Sequence, residues 1–328
     1  MISVVIPAHN EEGAIGSTIE RLKEVLSRAG LRDSEVIVVN DGSTDGTGII
    51  AKDLGVKVIE HLYKSGYGRA LKSGILKARH DTIVICDSDG TYPIEAIPQL
   101  LTQYNLGYDM VVGRRMGRYY DESWLKRPLR WLLKFIVEFT AGQRIPDINS
   151  GFRVFSRSSV IPYFNQLCNT FSFTTSLTLA YLLTGRYISY IVIQYNQRVG
   201  EPKVRLFKDS LRTLQYIVQA VLYYNPLKIF LLSSMLTIVF AGMCFALALA
   251  TKLTSAFFLG VGSLLVAIIV FSLGLLSDQL RQILIALGVS GARGSERSRS
   301  LESIRQSRVI MPGGERATAI REKVENLS

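Results

Sequence analysis

The sequence predicts an α/β domain built on a mostly parallel, doubly wound sheet with helices on both faces, followed by a two-helix transmembrane hairpin. Three observations carry that prediction. Over the first 115 residues, short β-branched runs alternate with amphipathic segments, the pattern of strands joined by crossover helices. Polar clusters follow the first, second and fourth apolar runs ("PAHNEE", "NDGSTDGT", "DSDG"), and in such sheets ligands bind beyond the carboxyl ends of the strands. Residues 229–250 and 254–277 carry no charge, and each run exceeds the roughly 20 residues a helix needs to cross a bilayer.

In chain order, residues 2–7 read as a strand, 14–29 as a helix and 35–39 as a strand. Residues 46–54 read as a helix, 56–60 as a strand, 69–78 as a helix and 82–86 as a strand, followed by a helix at 94–104 and a strand at 110–113. In "SWLKRPLRWLLKFIVEF" (residues 123–139), Lys126, Arg127, Arg130 and Lys134 are interleaved with Trp124, Trp131 and Phe135. That pattern suits a helix lying in a membrane interface. Residues 206–228 read as a second such stretch feeding the hairpin, and the Gly-, Ser- and Arg-rich residues 278–328 as a basic, largely disordered tail. The predicted layout is a catalytic domain over residues 1–205, the juxtamembrane segment, the two spans and the tail.

Net charge is +11 and the pI about 9.6, which suits an anionic partner. The cations cluster around the apolar runs: Lys203, Arg205, Lys208, Arg212 and Lys228 precede them, Arg281, Arg293, Arg297 and Arg299 follow, and the connecting turn holds only Lys252. Positive flanks stay inside, so the catalytic domain and both termini are expected on the cytoplasmic side of the cell membrane. No nucleic-acid motif accompanies the charge, so nucleic acid is excluded as a partner. "MISVVIPAHNEE" has no basic region ahead of its apolar run and reads as a strand, not a signal peptide. Cys86, Cys168 and Cys244 are too scattered for a zinc site or a disulfide framework. The short hairpin gives little anchorage alone, and a homo-oligomer would add some.

The chemistry-bearing residues begin with "IVICDSDGTYP", where an apolar strand runs into Asp87 and Asp89. Residues i and i+2 of an extended segment face the same way, and paired carboxylates suit a hard cation, Mg²⁺ or Mn²⁺, shared with substrate phosphates. An Asp-rich turn capping the next helix satisfies the same spacing. "DGSTDG" imitates an EF-hand opening, but Lys52 stands where a bidentate Glu is required. "KSGYGRALKSG" lacks the third glycine of a dinucleotide fingerprint, Leu71 standing there, and has no Walker Lys-Ser/Thr. What remains is a glycine-rich turn with Lys64 and Arg69 beside a helix N-terminus, equally an anion site or a plain turn.

Six motifs in order, "VVIPAHNEE", "VIVVNDGSTDGT", "KSGYGRALKSGI", "DSDGTYP", "DINSGFRVF" and "NQRVGEPKV", resemble the family-2 glycosyltransferases of the GT-A fold. More narrowly, they resemble the polyprenyl-phosphate glycosyltransferases, the dolichyl-phosphate mannose synthases among them. The resemblance covers about residues 2–203 and the paired membrane helices. It implies transfer of a hexose from a nucleotide-sugar donor, a UDP-sugar ahead of GDP-mannose, to a polyprenyl or dolichyl phosphate, with membrane lipids around the site. It further implies that Pro7, Ala8, Asn10, Glu11, Asp41 and Ser43 line the nucleoside pocket, Asp41 against base or ribose. Lys64, Gly66 and Gly68 lie near the nucleotide. Asp87 and Asp89 hold the metal, with Asp89 favoured as the direct ligand. Asp147 is the acid near the acceptor, Arg153 after it is an acceptor-phosphate ligand, and Arg198 and Lys203 bind diphosphate and lipid phosphate. Two positions depart from the family pattern: Asn40 replaces the first of two acids, and Pro202 stands where Ser commonly precedes the last Lys. The first is expected to affect donor preference, the second to stiffen the closing loop. A processive polysaccharide synthase would carry Gln-x-x-Arg-Trp after Asp147. Here "RPLRW" has Arg for the Gln and precedes it. A hydroxyl acceptor is the other alternative.

Overall fold

The computed structural model describes residues 1–117, 141–170, 172–197 and 225–286, with scattered helical residues between 134 and 139 and between 215 and 223. Arg198, Lys203, Pro202, most of the stretches at 123–139 and 206–224, and the tail beyond residue 286 lie outside the described residues.

Seven strands form one sheet in the order β3-β2-β1-β4-β6-β5-β7. They are β1 (Ser3–Ala8), β2 (Glu35–Asp41), β3 (Lys57–His61), β4 (Thr82–Ile85), β5 (Met110–Met116), β6 (Arg153–Ser156) and β7 (Ile188–Gln194). Helices α1 (Glu12–Arg28), α2 (Thr47–Asp53), α3 (Tyr67–Lys77), α4 (Ile97–Tyr104) and α5 (Phe173–Leu183) pack around it. All six residues of β1 are buried, as expected of a strand covered on both faces. Val4 and Ile6 join Ile15, Ile19 and Leu22 of α1 in one core. Val5 joins Ala70, Leu71 and Ile75 of α3 in the other. Side-chain alternation along a strand therefore assigns neighbouring residues to opposite layers.

The nine elements expected in the first 115 residues are present with small shifts. The sheet is mixed in one place. β6 runs antiparallel to both β4 and β5, whereas the remaining pairings, β7 on β5 included, are parallel. Sequence patterning missed β6 because only Val154 and Phe155 of its four residues are apolar. The reversal matters. It pairs Arg153, the first residue of β6, with Ile85, the last of β4, so the loop before β6 arrives at the carboxyl ends of β4 and β5.

Helices α6 (Pro226–Thr251) and α7 (Thr254–Ala286) are long and apolar enough to cross a membrane, and most of their side chains are exposed. A soluble core helix would be buried. Both run beyond the expected 229–250 and 254–277. They pack closely where Gly260 meets the Phe245 ring and Gly274 meets Phe230. Lys252 in the left-handed region (φ 56°) makes the turn between them. At its start, α6 contributes Ile229 to a small cluster with Val137, Ile145 and Leu179.

Gly74 is where α3 crosses the sheet: a Cβ there would run into Val5 Cγ1 and lie 3.0 Å from Val39 Cγ2. Helix propensity alone favours Ala over Gly by about 1 kcal/mol. Overpacking costs about 1–3 kcal/mol and wins. Gly74→Ala is expected to lower the thermal midpoint. A raised midpoint would show that the α3–sheet spacing is relaxed.

Candidate active site

The acidic turn lies at the carboxyl end of β4, the middle strand. β4 ends at Ile85, so Asp87 and Asp89 belong to a tight turn closed by Gly90 (φ 73°), not to an extended segment. Strand alternation is thus not what pairs them. The turn is pinned from below: Ser88 Oγ donates to the Pro7 carbonyl (3.2 Å) and Thr18 Oγ1 donates to the Ser88 carbonyl (3.3 Å). Asp89, 4% exposed, accepts from the Thr91 hydroxyl (2.6 Å) and backbone N–H (3.1 Å). Asp87, half-buried, accepts from the Tyr67 hydroxyl at 2.8 Å.

The field of this turn registers on its neighbours. Burial first, then the charges of Asp87 and Asp89, push the Cys86 thiol far above its usual range. Burial, and then Asp87, pushes the Tyr67 hydroxyl well up. Burial pushes Tyr92 up as well, Asp87 adding to it against Arg115, and Tyr195 follows with both carboxylates contributing. Three phenols therefore keep their protons around one negative centre. No cluster of three His, Cys, Asp or Glu side chains suited to a metal occurs among the described residues. A dedicated protein cage is not what this site offers. Two carboxylates in a negative field, at the open end of the sheet, fit a hard cation of the Mg²⁺ or Mn²⁺ kind that completes its shell with substrate phosphates.

At the carboxyl ends of β1 and β2, Pro7 and Ala8 lie beside Val39 and Asn40. Asn10 adopts a left-handed backbone (φ 52°), which Asn tolerates. Its N–H donates to Ser43 Oγ (3.0 Å), and its side-chain oxygen accepts from the Thr44 N–H (2.8 Å). The loops after β1 and β2 are thereby laced together. The Glu11 N–H donates to Thr47 Oγ1 (2.8 Å), joining the start of α1 to α2. Asp41 is 4% exposed. Its carboxylate accepts from the N–H groups of Ser65 and Gly66 and from His61 Nδ1, all at 2.8 Å. Asp41, expected against base or ribose, thus clamps the glycine-rich loop. Lys64 is exposed on that loop. Gly66 (φ 106°) is conformationally required. Gly68, expected near the nucleotide, is buried, and a Cβ on it would run into the Cys168 carbonyl. Its part is close packing. Asn40 donates to Glu60 Oε2 (2.6 Å) and accepts from the Ser43 N–H (3.2 Å). An acid at that position would face Glu60, which accounts for the departure noted above.

In the loop before β6, Asp147 is met by Arg115, a residue that sequence reasoning passed over. The guanidinium donates through Nε (2.8 Å) and Nη2 (2.9 Å), and the backbone N–H of Arg115 donates as well (3.1 Å). The Asn149 N–H adds a fourth hydrogen bond, at 3.1 Å. Burial acts to raise the Asp147 carboxyl, but the hydrogen bonds and charge of Arg115 outweigh it and hold the group below the usual carboxylate range. Such a carboxylate is a weak base. Arg153 was expected to meet the acceptor phosphate. It is 0% exposed and donates to the carbonyls of Ser150 (2.6 Å) and Ile148 (2.8 Å) and to Thr178 Oγ1 (2.7 Å). It props the 147–151 loop from beneath. Arg115 was detectable in principle, as a cation at the carboxyl end of a predicted strand. It stands over the Tyr195 ring (5.4 Å). Beyond β7 the Asn196 N–H donates to the Thr91 carbonyl (2.9 Å), so the segment leading toward Arg198 is tied to the acidic turn.

A clamped glycine-rich loop, an acidic turn and an ion-paired loop from a reversed strand thus meet at one end of the sheet. Residues 3–164 match the family described as glycosyl transferase family 2. The dolichyl-phosphate hexose transferase of Haloferax volcanii is 30% identical over 222 residues, covering 67% of this chain and 94% of that protein. The undecaprenyl-phosphate 4-deoxy-4-formamido-L-arabinose transferase of Edwardsiella ictaluri is 28% identical over 233 residues, 69% of each chain. The chain belongs to glycosyltransferase family 2 and is a glycosyltransferase. Glucosyl-3-phosphoglycerate synthase from Mycobacterium tuberculosis, crystallised with Mn²⁺, UDP and glucosyl-3-phosphoglycerate, superposes with a TM-score of 0.54 at 23% identity, over 67% of this chain and 79% of that one. That likeness establishes the GT-A-type fold.

The Asp147–Arg115 pair has a pH signature. A carboxyl whose folded pKa is depressed contributes stability above its unfolded value, about 3.9, and loses it as pH falls through the lower folded value. Breaking a buried pair costs about 3–5 kcal/mol. Asp147→Asn is expected to melt well below the wild type at neutral pH, with the gap narrowing only below about pH 4. A gap independent of pH down to acid unfolding would show that the pair is not ionised.

Proposed function

We propose that this enzyme transfers one sugar from a nucleotide-diphospho-sugar to a polyprenyl or dolichyl phosphate at the cytoplasmic membrane face, with inversion at the anomeric carbon. UDP-glucose or a related UDP-sugar is the favoured donor and GDP-mannose the second choice. The observation that carries the reading is the saturation of Asp147 by Arg115 and Asn149. A hydroxyl acceptor needs a general base, typically worth about 10²–10⁴-fold. A phosphate monoester, with a second pKa of about 6, is already ionised and needs none. The names of the relatives, both transferases to a polyprenyl phosphate, and the apolar hairpin α6–α7 support the same acceptor.

In this reading an acceptor phosphate oxygen forms the new bond to the anomeric carbon while the bond from that carbon to the nucleotide diphosphate breaks, its electron pair leaving with the diphosphate. A divalent cation held by Asp87 and Asp89, as Mg²⁺ or Mn²⁺, supplies neutralising charge at that leaving group. Asp41 holds the loop of Lys64–Gly66 against the nucleotide. Arg198 and Lys203 bring cations to the diphosphate and lipid phosphate. Arg115, steadied by Asp147, adds positive charge on the acceptor side. The domain of residues 1–205 works at the membrane surface, residues 206–228 and the hairpin anchor it, and the basic tail of residues 278–328 follows on the same side.

The test is a donor-by-acceptor screen with protein in mild detergent and Mg²⁺ or Mn²⁺. UDP- and GDP-sugars are offered with polyprenyl phosphate or free polyprenol, and products are read by mass. A polyprenyl-phosphate monosaccharide is expected. Asp89→Asn is expected to abolish it, and Asp147→Asn to slow it modestly. Product with the free polyprenol alone, or loss in Asp147→Asn as severe as in Asp89→Asn, would overturn the acceptor assignment.

A further inference from the structure

Three parts of the site meet at Tyr67. Asp41 accepts from the N–H groups of Ser65 and Gly66. Gly66, at φ 106°, turns the chain into α3, whose first residue is Tyr67. The Tyr67 hydroxyl donates to Asp87 Oδ1 at 2.8 Å. Gly151 of the acceptor-side loop lies directly over that bond: a Cβ there would lie 2.8 Å from the Tyr67 oxygen and 2.9 and 3.0 Å from the two Asp87 oxygens. Its own N–H donates to the Tyr92 hydroxyl (2.7 Å). The Tyr67 ring packs against the core beneath α3, so the hydroxyl is presented from a rigid element.

We infer that Tyr67 is a positioning residue for Asp87, and that through it the glycine-rich donor loop and the acidic turn respond to ligands as one unit. The inference rests on the reading of Asp87 and Asp89 as cation ligands. A nucleotide bound against residues 64–66 bears on the same chain segment that holds the Asp87 carboxylate through Tyr67, so nucleotide and divalent cation bind with positive coupling. Carboxylates that hold metals depend on such outer hydrogen bonds, and removing one typically costs about 10–100-fold in metal affinity. Coupling is reciprocal, so the cation must tighten the nucleotide by the same factor.

The experiment titrates full-length protein in mild detergent with Mn²⁺, following free Mn²⁺ by electron paramagnetic resonance, with and without UDP. A protein-free control corrects for Mn²⁺ held by UDP. Tyr67→Phe is expected to weaken Mn²⁺ binding in the presence of UDP about 10-fold and to shrink the tightening that UDP produces. Gly151→Ala, which crowds the same bond from the other side, is expected to do likewise and serves if Tyr67→Phe does not fold. Tyr181→Phe deletes a buried hydroxyl with no hydrogen-bond partner among the described residues and is expected to bind Mn²⁺ as the wild type does. Wild-type Mn²⁺ affinity and UDP response in Tyr67→Phe or Gly151→Ala, alongside loss in Asp89→Asn, would overturn the role of Tyr67 alone. Wild-type affinity in both Asp87→Asn and Asp89→Asn would overturn the cation reading and the inference with it.

Discussion

Two carboxylates one residue apart, at the end of the central strand, with one of them almost wholly buried: the rest of the site depends on how the chain tolerates that. Like charges brought together and desolvated are costly unless donors reach them. Thr91 meets Asp89 with two donors and Tyr67 meets Asp87 with one. Ser88 is fastened to Pro7 and Thr18, so the turn keeps its shape without β-ladder pairing. The negative field that remains is felt by Cys86, Tyr67, Tyr92 and Tyr195. In the proposed reaction a diphosphate leaving group would meet that field, and the cation proposed for Asp87 and Asp89 would stand between the two.

The reversed strand β6 supplies the second half of the site. In a wholly parallel sheet, the loop before a strand sits at the far end from the loops after its neighbours. Antiparallel pairing of β6 between β4 and β5 brings residues 147–151 to the same end as the acidic turn. Arg153 then props that loop from within the sheet, while Asp147 fixes the Arg115 guanidinium in place. Buried ion pairs contribute little to stability on average. Here the pair holds the Arg115 guanidinium beside the 147–151 loop in one fixed orientation.

Much of the fold was legible because β1, β2, β4 and β5 hold runs of three or more apolar residues with Asp, Asn or Gly soon after, while β3, with only Val58 and Ile59, was read from its place in the strand–helix alternation. The acidic turn was legible for the same reason. β6 was not, since Arg153 and Ser156 flank only two apolar residues. Arg153 was placed as an anion ligand by the resemblance alone; backbone carbonyls that only the folded loop presents make its burial tolerable. Asp41 was identifiable as a site residue but not as a clamp, because its partners, the N–H groups of Ser65 and Gly66, carry no side-chain signal. Gly68 looked like part of a phosphate loop, and only the Cys168 carbonyl, a hundred residues further along the chain, reveals it as a packing glycine. Arg115 pairs with an acid 32 residues away, a separation that local pattern cannot bridge.

The central claim is that the acceptor arrives ionised and the protein supplies no base. The pH dependence of kcat/KM for polyprenyl phosphate, in wild type and in Asp147→Asn, tests it most directly. A rising limb near the second ionisation of a phosphate monoester, at about pH 6, is predicted in both proteins, with Asp147→Asn displaced only in height. A limb that vanishes or moves in Asp147→Asn would mean that Asp147 takes the acceptor's proton, and would contradict the account.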